Sequence, residues 1–165
     1  MLSFFGRSLQ GLALLVGSAA MTPAFAAPAP DNQEAQNIAL TQAAFDRWRD
    51  GKGSPYDLLA EDVQWTIVGR SAASKLYPSR EAFMAEVIRP FNARMRTPLR
   101  PTVHQMMADG DRVAIFFDAQ GTAKDGVEYK NTYAWLWRMR EGKIVEAHAY
   151  FDSIVFNDLW TRVQP

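Results

Sequence analysis

Residues 142–153 read GKIVEAHAYFDS, a short apolar run that ends on an acid. Side chains alternate along a strand, so His148, Tyr150 and Asp152 share one face, and Ala147, Ala149 and Phe151 share the other. Which trio faces the core decides both the architecture and the working surface. The answer lies in the turns that join this strand to its neighbours, since a slip of one residue carries every side chain to the opposite face.

Asp125-Gly126 suits a two-residue hairpin loop, because both residue types tolerate positive φ. That register sets Asp118 opposite Tyr133 and Phe116 opposite Trp135. Glutamate tolerates positive φ poorly, so Arg140-Glu141-Gly142 is expected to turn as a three-residue loop with the glycine in the left-handed position. Trp135 then pairs with Ala147, and Tyr133 with Ala149. One face gathers Phe116, Asp118, Gln120, Asn131, Tyr133, Trp135, Trp137, Ala147, Ala149 and Phe151. The other gathers Ile115, Phe117, Ala134, Leu136, Arg138, His148, Tyr150 and Asp152. The first sets large rings against two small alanines, which makes room for something bulky, and it is expected to be the concave, helix-covered side. His148, Tyr150 and Asp152 then face outward, and Asp152-Ser153 reads as a helix cap ahead of FNDLWTRV.

The rest of the chain places helices first and strands after. Asp31 with Glu34 has capping-box spacing, Ile38, Phe45 and Trp48 recur at helical intervals, and Gly51 fits a C-terminal stop. Ser54-Pro55 opens a short second helix through about Ala60, and VQWTIV at 63–68 reads as a strand. A polar loop runs to Pro78; Ser79 caps a third helix that Pro90 should break or kink. From Leu99, Asp109-Gly110, Asp125-Gly126 and Glu141-Gly142 punctuate four apolar runs, a meander of hairpins. This order predicts an α+β fold, with helices packed on one face of a curved antiparallel sheet.

Composition narrows the function. Arg7 is the only charge before an apolar run that ends in Ala24-Phe25-Ala26, the pattern of a secretory signal cleaved near Ala26. The expected organisation is a signal peptide over 1–26, an Ala-Pro linker over 27–30 and a single domain over 31–165, in the periplasm or secreted. Losing Arg7 from 18 basic side chains leaves 17 against 18 acidic ones, so neither nucleic acid nor an anionic membrane is the expected partner. The chain has no cysteine, which excludes disulfides, a thiol nucleophile and thiolate metal sites. With only His104 and His148 and no HExxH, a histidine-rich metal site is not expected either.

The order helix, short helix, strand, loop, helix and four-stranded meander ending in YFD resembles the nuclear transport factor 2-like superfamily, in particular its SnoaL-like branch. That branch holds polyketide cyclases, ketosteroid isomerase and limonene epoxide hydrolase. The resemblance spans Asp31 to Trp160, with local echoes in AEDVQW, ADGDRV, DGVEYKN and GKIVEAHAYFD. It implies a cone formed by a sheet wrapped around helices, an apolar pocket for a small molecule, and chemistry without a cofactor. The catalytic groups of the isomerase do not carry over: its base falls on Ile67 or Thr66 and its second acid near Trp135. Of the epoxide hydrolase set only Asp118 matches an acid, while the partner arginine and second acid become Phe116 and Ala149.

Asp118 is therefore the expected proton shuttle: a carboxyl desolvated among rings has a raised pKa suited to acid–base work. Tyr133 and Asn131 would orient the substrate, and Trp65, Phe116, Trp135, Trp137, Ala149 and Phe151 would line the pocket. Three functions stay open: an isomerase, cyclase, dehydratase or hydrolase; a carrier of a small apolar molecule; or an interaction module whose core fills the pocket. The apolar outer face around Phe117 and Leu136 suggests a homodimer through the open sheet.

Overall fold

The computed structural model describes residues 32–165; the expected signal (1–26), linker (27–30) and Asp31 cap lie outside the described residues. Helix α1 (Asn32–Arg49) is followed by a 3-10 turn (Pro55–Leu58), β1 (Leu59–Ile67) and the short β2 (Leu76–Tyr77). Helix α2 (Arg80–Phe83), a π-helical turn (Met84–Ile88) and α3 (Arg89–Asn92) then run on without a break. Strands β3 (Arg100–Asp109), β4 (Arg112–Thr122), β5 (Glu128–Arg140) and β6 (Lys143–Phe151) form the meander, and α4 (Ser153–Arg162) ends it. The architecture is the expected α+β one, a curved and unclosed six-stranded sheet in the order β2-β1-β6-β5-β4-β3. Helix α1 packs against β3 and β4.

Local chemistry accounts for the boundaries. Ser54 accepts the Tyr56 N–H at 3.2 Å while Asp57 accepts the Ser54 N–H at 3.0 Å, a reciprocal cap. Ser79 caps α2 through Ala82 N–H, and Asp152 caps α4 through Ile154 N–H at 2.8 Å. Pro90 does not break its helix. Its ring crowds the carbonyl four residues back, and the turn ahead of it widens so that Arg89 N–H bonds Met84 C=O. Two elements depart from expectation: the Ser54-Pro55 helix is a single 3-10 turn, and the polar loop contains β2, which pairs Tyr77 with Trp65. Strand β1 lies parallel to β6, with Trp65 beside Ala147 and Ile67 beside Ala149.

Both hairpin loops have the length expected of the other. Between β4 and β5 the loop is three residues, Lys124-Asp125-Gly126, with Ala123 N–H bonded to Val127 C=O at 2.9 Å. Asp125 Oδ1 accepts the Val127 N–H at 3.1 Å, and only Gly126, at φ 92°, turns left-handed. Between β5 and β6 the loop is two residues: Arg140 pairs with Lys143 across Glu141 at φ 52° and Gly142 at φ 73°.

The first change turns β4 over. Phe117 lies opposite Tyr133 and Asp118 opposite Thr132, so Val113, Ile115, Phe117 and Ala119 face the core. Phe116, Asp118 and Gln120 lie on the outer face, which corrects the expectation that they line the cone. Burial decides this, because exposing Ile115 and Phe117 would forfeit about 1.5–3 kcal/mol each and would also bury a carboxylate. The second change would have turned β6 over too, but Val145 stands unpaired between the pairs Arg138–Glu146 and Met139–Ile144. This bulge restores the parity. Ala147 and Ala149 face inward opposite Trp137 and Trp135, while His148 and Tyr150 face outward.

Glu141 is thus a β-carbon-bearing residue held in left-handed backbone. Replacing it by Asn, which tolerates that conformation, should raise stability by about 0.5–1 kcal/mol in chemical denaturation with an unchanged slope. A fall in stability would contradict a two-residue loop.

Candidate functional site

The inward faces of β1, β5 and β6 and the α2–α3 segment enclose a cavity of about 490 Å³. Aromatic rings form much of its wall. Trp65 stacks on Phe83 at 4.4 Å between ring centres and meets Trp135 edge-on at 5.3 Å. Tyr56, in the 3-10 turn, bridges Trp48, Trp65, Phe83 and Trp135. Ala149 provides the space: a larger side chain at this inward position, opposite Trp135 and beside Ile67, would enter the void.

The indole N–H groups of Trp65 and Trp135 are buried without a hydrogen-bond partner, and the Tyr56 hydroxyl has none among the described residues. Burial raises the pKa of Tyr56, with a smaller push from Tyr129. Desolvation likewise holds Tyr133 well above an ordinary phenol, again with Tyr129 adding to it. Both hydroxyls therefore stay protonated near neutral pH.

A short chain of bonds orders Tyr133. The Asp152 N–H donates to Asn131 Oδ1 at 3.0 Å, which sets the amide's orientation and leaves Nδ2 to donate to Asp152 C=O and to the Tyr129 hydroxyl. Tyr129 and Tyr133 share a 3.0 Å bond in which either can donate. When Tyr129 donates, the Tyr133 proton is free for an acceptor in the cavity. Asn131 itself is 3 % exposed and lies behind the wall, as the clasp between β5 and the start of α4.

Of the residues expected to line a pocket, Trp65, Trp135, Ala149 and Phe151 stand in the cavity wall, as does Tyr133, expected to orient a substrate. Trp137 is fully buried against Phe45 and lies outside the cavity wall. Phe116 is 47 % exposed on the outer face. Asp118 lies there as well, and its environment reverses the expected chemistry. Thr132 donates to its Oδ1 at 2.7 Å, and His104 Nε2 stands 3.2 Å from Oδ2. The Thr132 bond, with help from His104 and Lys130, lowers the carboxyl pKa below the usual range despite an opposing effect of burial. His104 is the extra residue of a bulge in β3, between the pairs Val103–Phe117 and Gln105–Phe116, which re-aims it toward Asp118. Among the described residues no group of three His, Asp or Glu side chains could hold a metal ion.

A family model for the SnoaL-like domain matches residues 39–147, more than half of the chain. The chain belongs to the SnoaL-like domain family. Solved structures agree with this SnoaL-like domain in fold. Bal32a, from a soil-derived mobile gene cassette, superposes with a TM-score of 0.64 at 18% identity, covering 78% of this chain and 99% of that one. TerC, co-crystallized with polyporic acid, gives 0.61 at 20% identity, with 76% and 98% covered. An LEH-like epoxide hydrolase from M. tuberculosis gives 0.56 at 13% identity, with 79% and 92% covered. Among curated proteins none matches. Sequence reasoning missed the helical half of this SnoaL-like cavity, including Tyr56, Phe83 and Phe91. Their apolar character was visible, but only packing shows which strands they oppose.

Because Asp118 lies outside the cavity, Asp118→Asn should leave ligand affinity there unchanged. Its lowered pKa stabilises the fold above the ordinary carboxylate pKa, and that contribution disappears as pH falls through the folded value. The variant should therefore be less stable by about 0.5–1 kcal/mol at pH 7, with the difference vanishing in acid. Thermal melts across pH check this, and a gap that widens in acid would contradict it.

Proposed function

We propose that this SnoaL-like domain binds a small, flat, largely apolar molecule carrying at least one acceptor oxygen, outside the cytoplasm. The observation that carries the reading is the aromatic cavity of about 490 Å³, in whose wall the Tyr56 hydroxyl has no partner among the described residues. A core that filled itself would not leave such space. The rings suit a flat guest, and an acceptor oxygen would pair the Tyr56 hydroxyl. The likeness in fold to TerC, a protein co-crystallized with polyporic acid, is consistent with a guest of this kind. Among the described residues no carboxylate lines the cavity, which favours carriage over Asp118-based turnover. Any catalysis would rest on Tyr133 and Tyr56 as neutral donors. The secretory setting rests on Arg7, the apolar run and Ala24-Phe25-Ala26.

The outer sheet face supports a second copy as partner. Its register lays out two adjacent rows, Gln105–Phe116–Ala134–Tyr150 and Met107–Ala114–Leu136–His148. Met107, Phe116, Leu136 and Tyr150 are each more than 40% exposed. The row with Asp118 borders one side, and a row with Arg112 and Arg138 borders the other, where Asp109 and Glu146 stand beside the arginines and Glu146 pairs with Arg138. A two-fold axis running across the strands between these rows sets the Asp118 row of one copy over the arginines of its mate. Four strands by about five residues cover roughly 19 by 17 Å, about 320 Å², so a stable contact of about 800 Å² a side would extend beyond these rows.

Two measurements test these readings. N-phenyl-1-naphthylamine should bind with increased fluorescence, and Ala149→Leu, which fills the cavity, should weaken it at least about tenfold. Undiminished binding to that variant would refute the cavity reading. Leu136→Lys should elute as a monomer on a sizing column, and an oligomer that persists would refute the two-fold contact.

A further inference from the structure

Among the described residues the charged side chains in the cavity wall are Arg96 and Arg100, and no acid accompanies them. Both are exposed, so they stand where the cavity meets solvent. Arg100 is held in place: its Nη1 donates to Trp48 C=O at 3.1 Å, at the end of α1. Its Nη2 lies so close to Gly51 that a β-carbon there would stand 2.8 Å away. Among the described residues neither arginine has a carboxylate within ion-pair distance. The nearby acids are committed elsewhere, Asp57 to Ser54 N–H and Asp50 to Arg49. Four of the five Arg100 donors thus have no partner among the described residues. Arg96 has only a 3.5 Å contact with Lys124 C=O.

We infer that the guest is an aromatic acid, its rings inside the cavity and its anionic group held at the mouth by Arg100 with Arg96. This rests on the cavity reading above and narrows it to a ligand class. Two physical facts divide the ligand this way. An anion drawn among the rings would lose its hydration with no cation inside to replace it. At the mouth it keeps part of its water and gains a planar fork suited to a carboxylate, phenolate or sulfonate. Trp48 C=O occupies one donor and aligns the guanidinium, so little freedom is lost on binding.

Two probes with the same rings separate this from the cavity reading. 8-Anilinonaphthalene-1-sulfonate carries an anion, and N-phenyl-1-naphthylamine does not. The sulfonate should bind about tenfold or more tightly than the amine at low ionic strength, with the preference shrinking as salt is added. Arg100→Gln should cut the preference to near one, and Arg100→Lys should keep part of it, with thermal melts showing that each variant folds. If Arg100→Gln fails to fold for want of its Trp48 contact, Arg96→Gln gives the same reading through a smaller loss of preference. Equal affinities, or a preference that survives in the Arg96→Gln, Arg100→Gln double variant, would overturn the inference and leave the cavity reading standing. A sulfonate that binds Ala149→Leu undiminished sits on the outer face and overturns it too. Failure of both probes to bind would remove the cavity reading, and this inference with it.

Discussion

Val145 stands alone between two paired neighbours on β6, and this one extra residue keeps Ala147 and Ala149 facing Trp137 and Trp135. Strand parity is a binary constraint: a loop of the other length inverts every later side chain unless a bulge compensates. Here the two-residue loop at Glu141-Gly142 inverts β6, and Val145 inverts it back. Without that correction His148 and Tyr150 would enter the aromatic interior, and the alanines that leave space for a guest would face solvent. The cavity, the dry core beside Trp137 and the outer apolar rows all depend on it.

The interior shows how a cavity can be polar without being charged. Tyr129, Asn131 and Tyr133 form a chain anchored on the backbone of Asp152, the residue that also caps α4. One clasp therefore joins the end of the sheet to the final helix and orders a phenol at the cavity wall. Desolvation keeps the phenols neutral, so they act as donors. The charged groups stay where water remains, with the arginines at the mouth and Asp118 with its Thr132 and His104 partners on the outer face.

Much of this was legible in the residue pattern. Ser54, Ser79 and Asp152 announced their caps, and the turn residues announced the meander. The outward facing of His148 was expected as well, though from a loop length that β6 does not use; the bulge at Val145 gives the same facing. Asp118 faces outward, against the expectation from loop chemistry, because the alternation of β4 itself prevails. Val113, Ile115 and Phe117 alternate with Ala114, Phe116 and Asp118, and the burial of the first set outweighs any turn preference. That signal was in the sequence.

By itself the sequence determined what is local or additive: the caps, the strand-rich second half, the inward aromatic set of β5, and a chain without thiol chemistry. Only the tertiary structure decided which helix rings oppose which strands, where Val145 and His104 bulge, and that two arginines border the cavity with no acid beside them among the described residues. Caps and alternation depend on neighbours a few residues away. A bulge or a cavity is settled by competing burial over the whole sheet, which no short stretch of chain encodes.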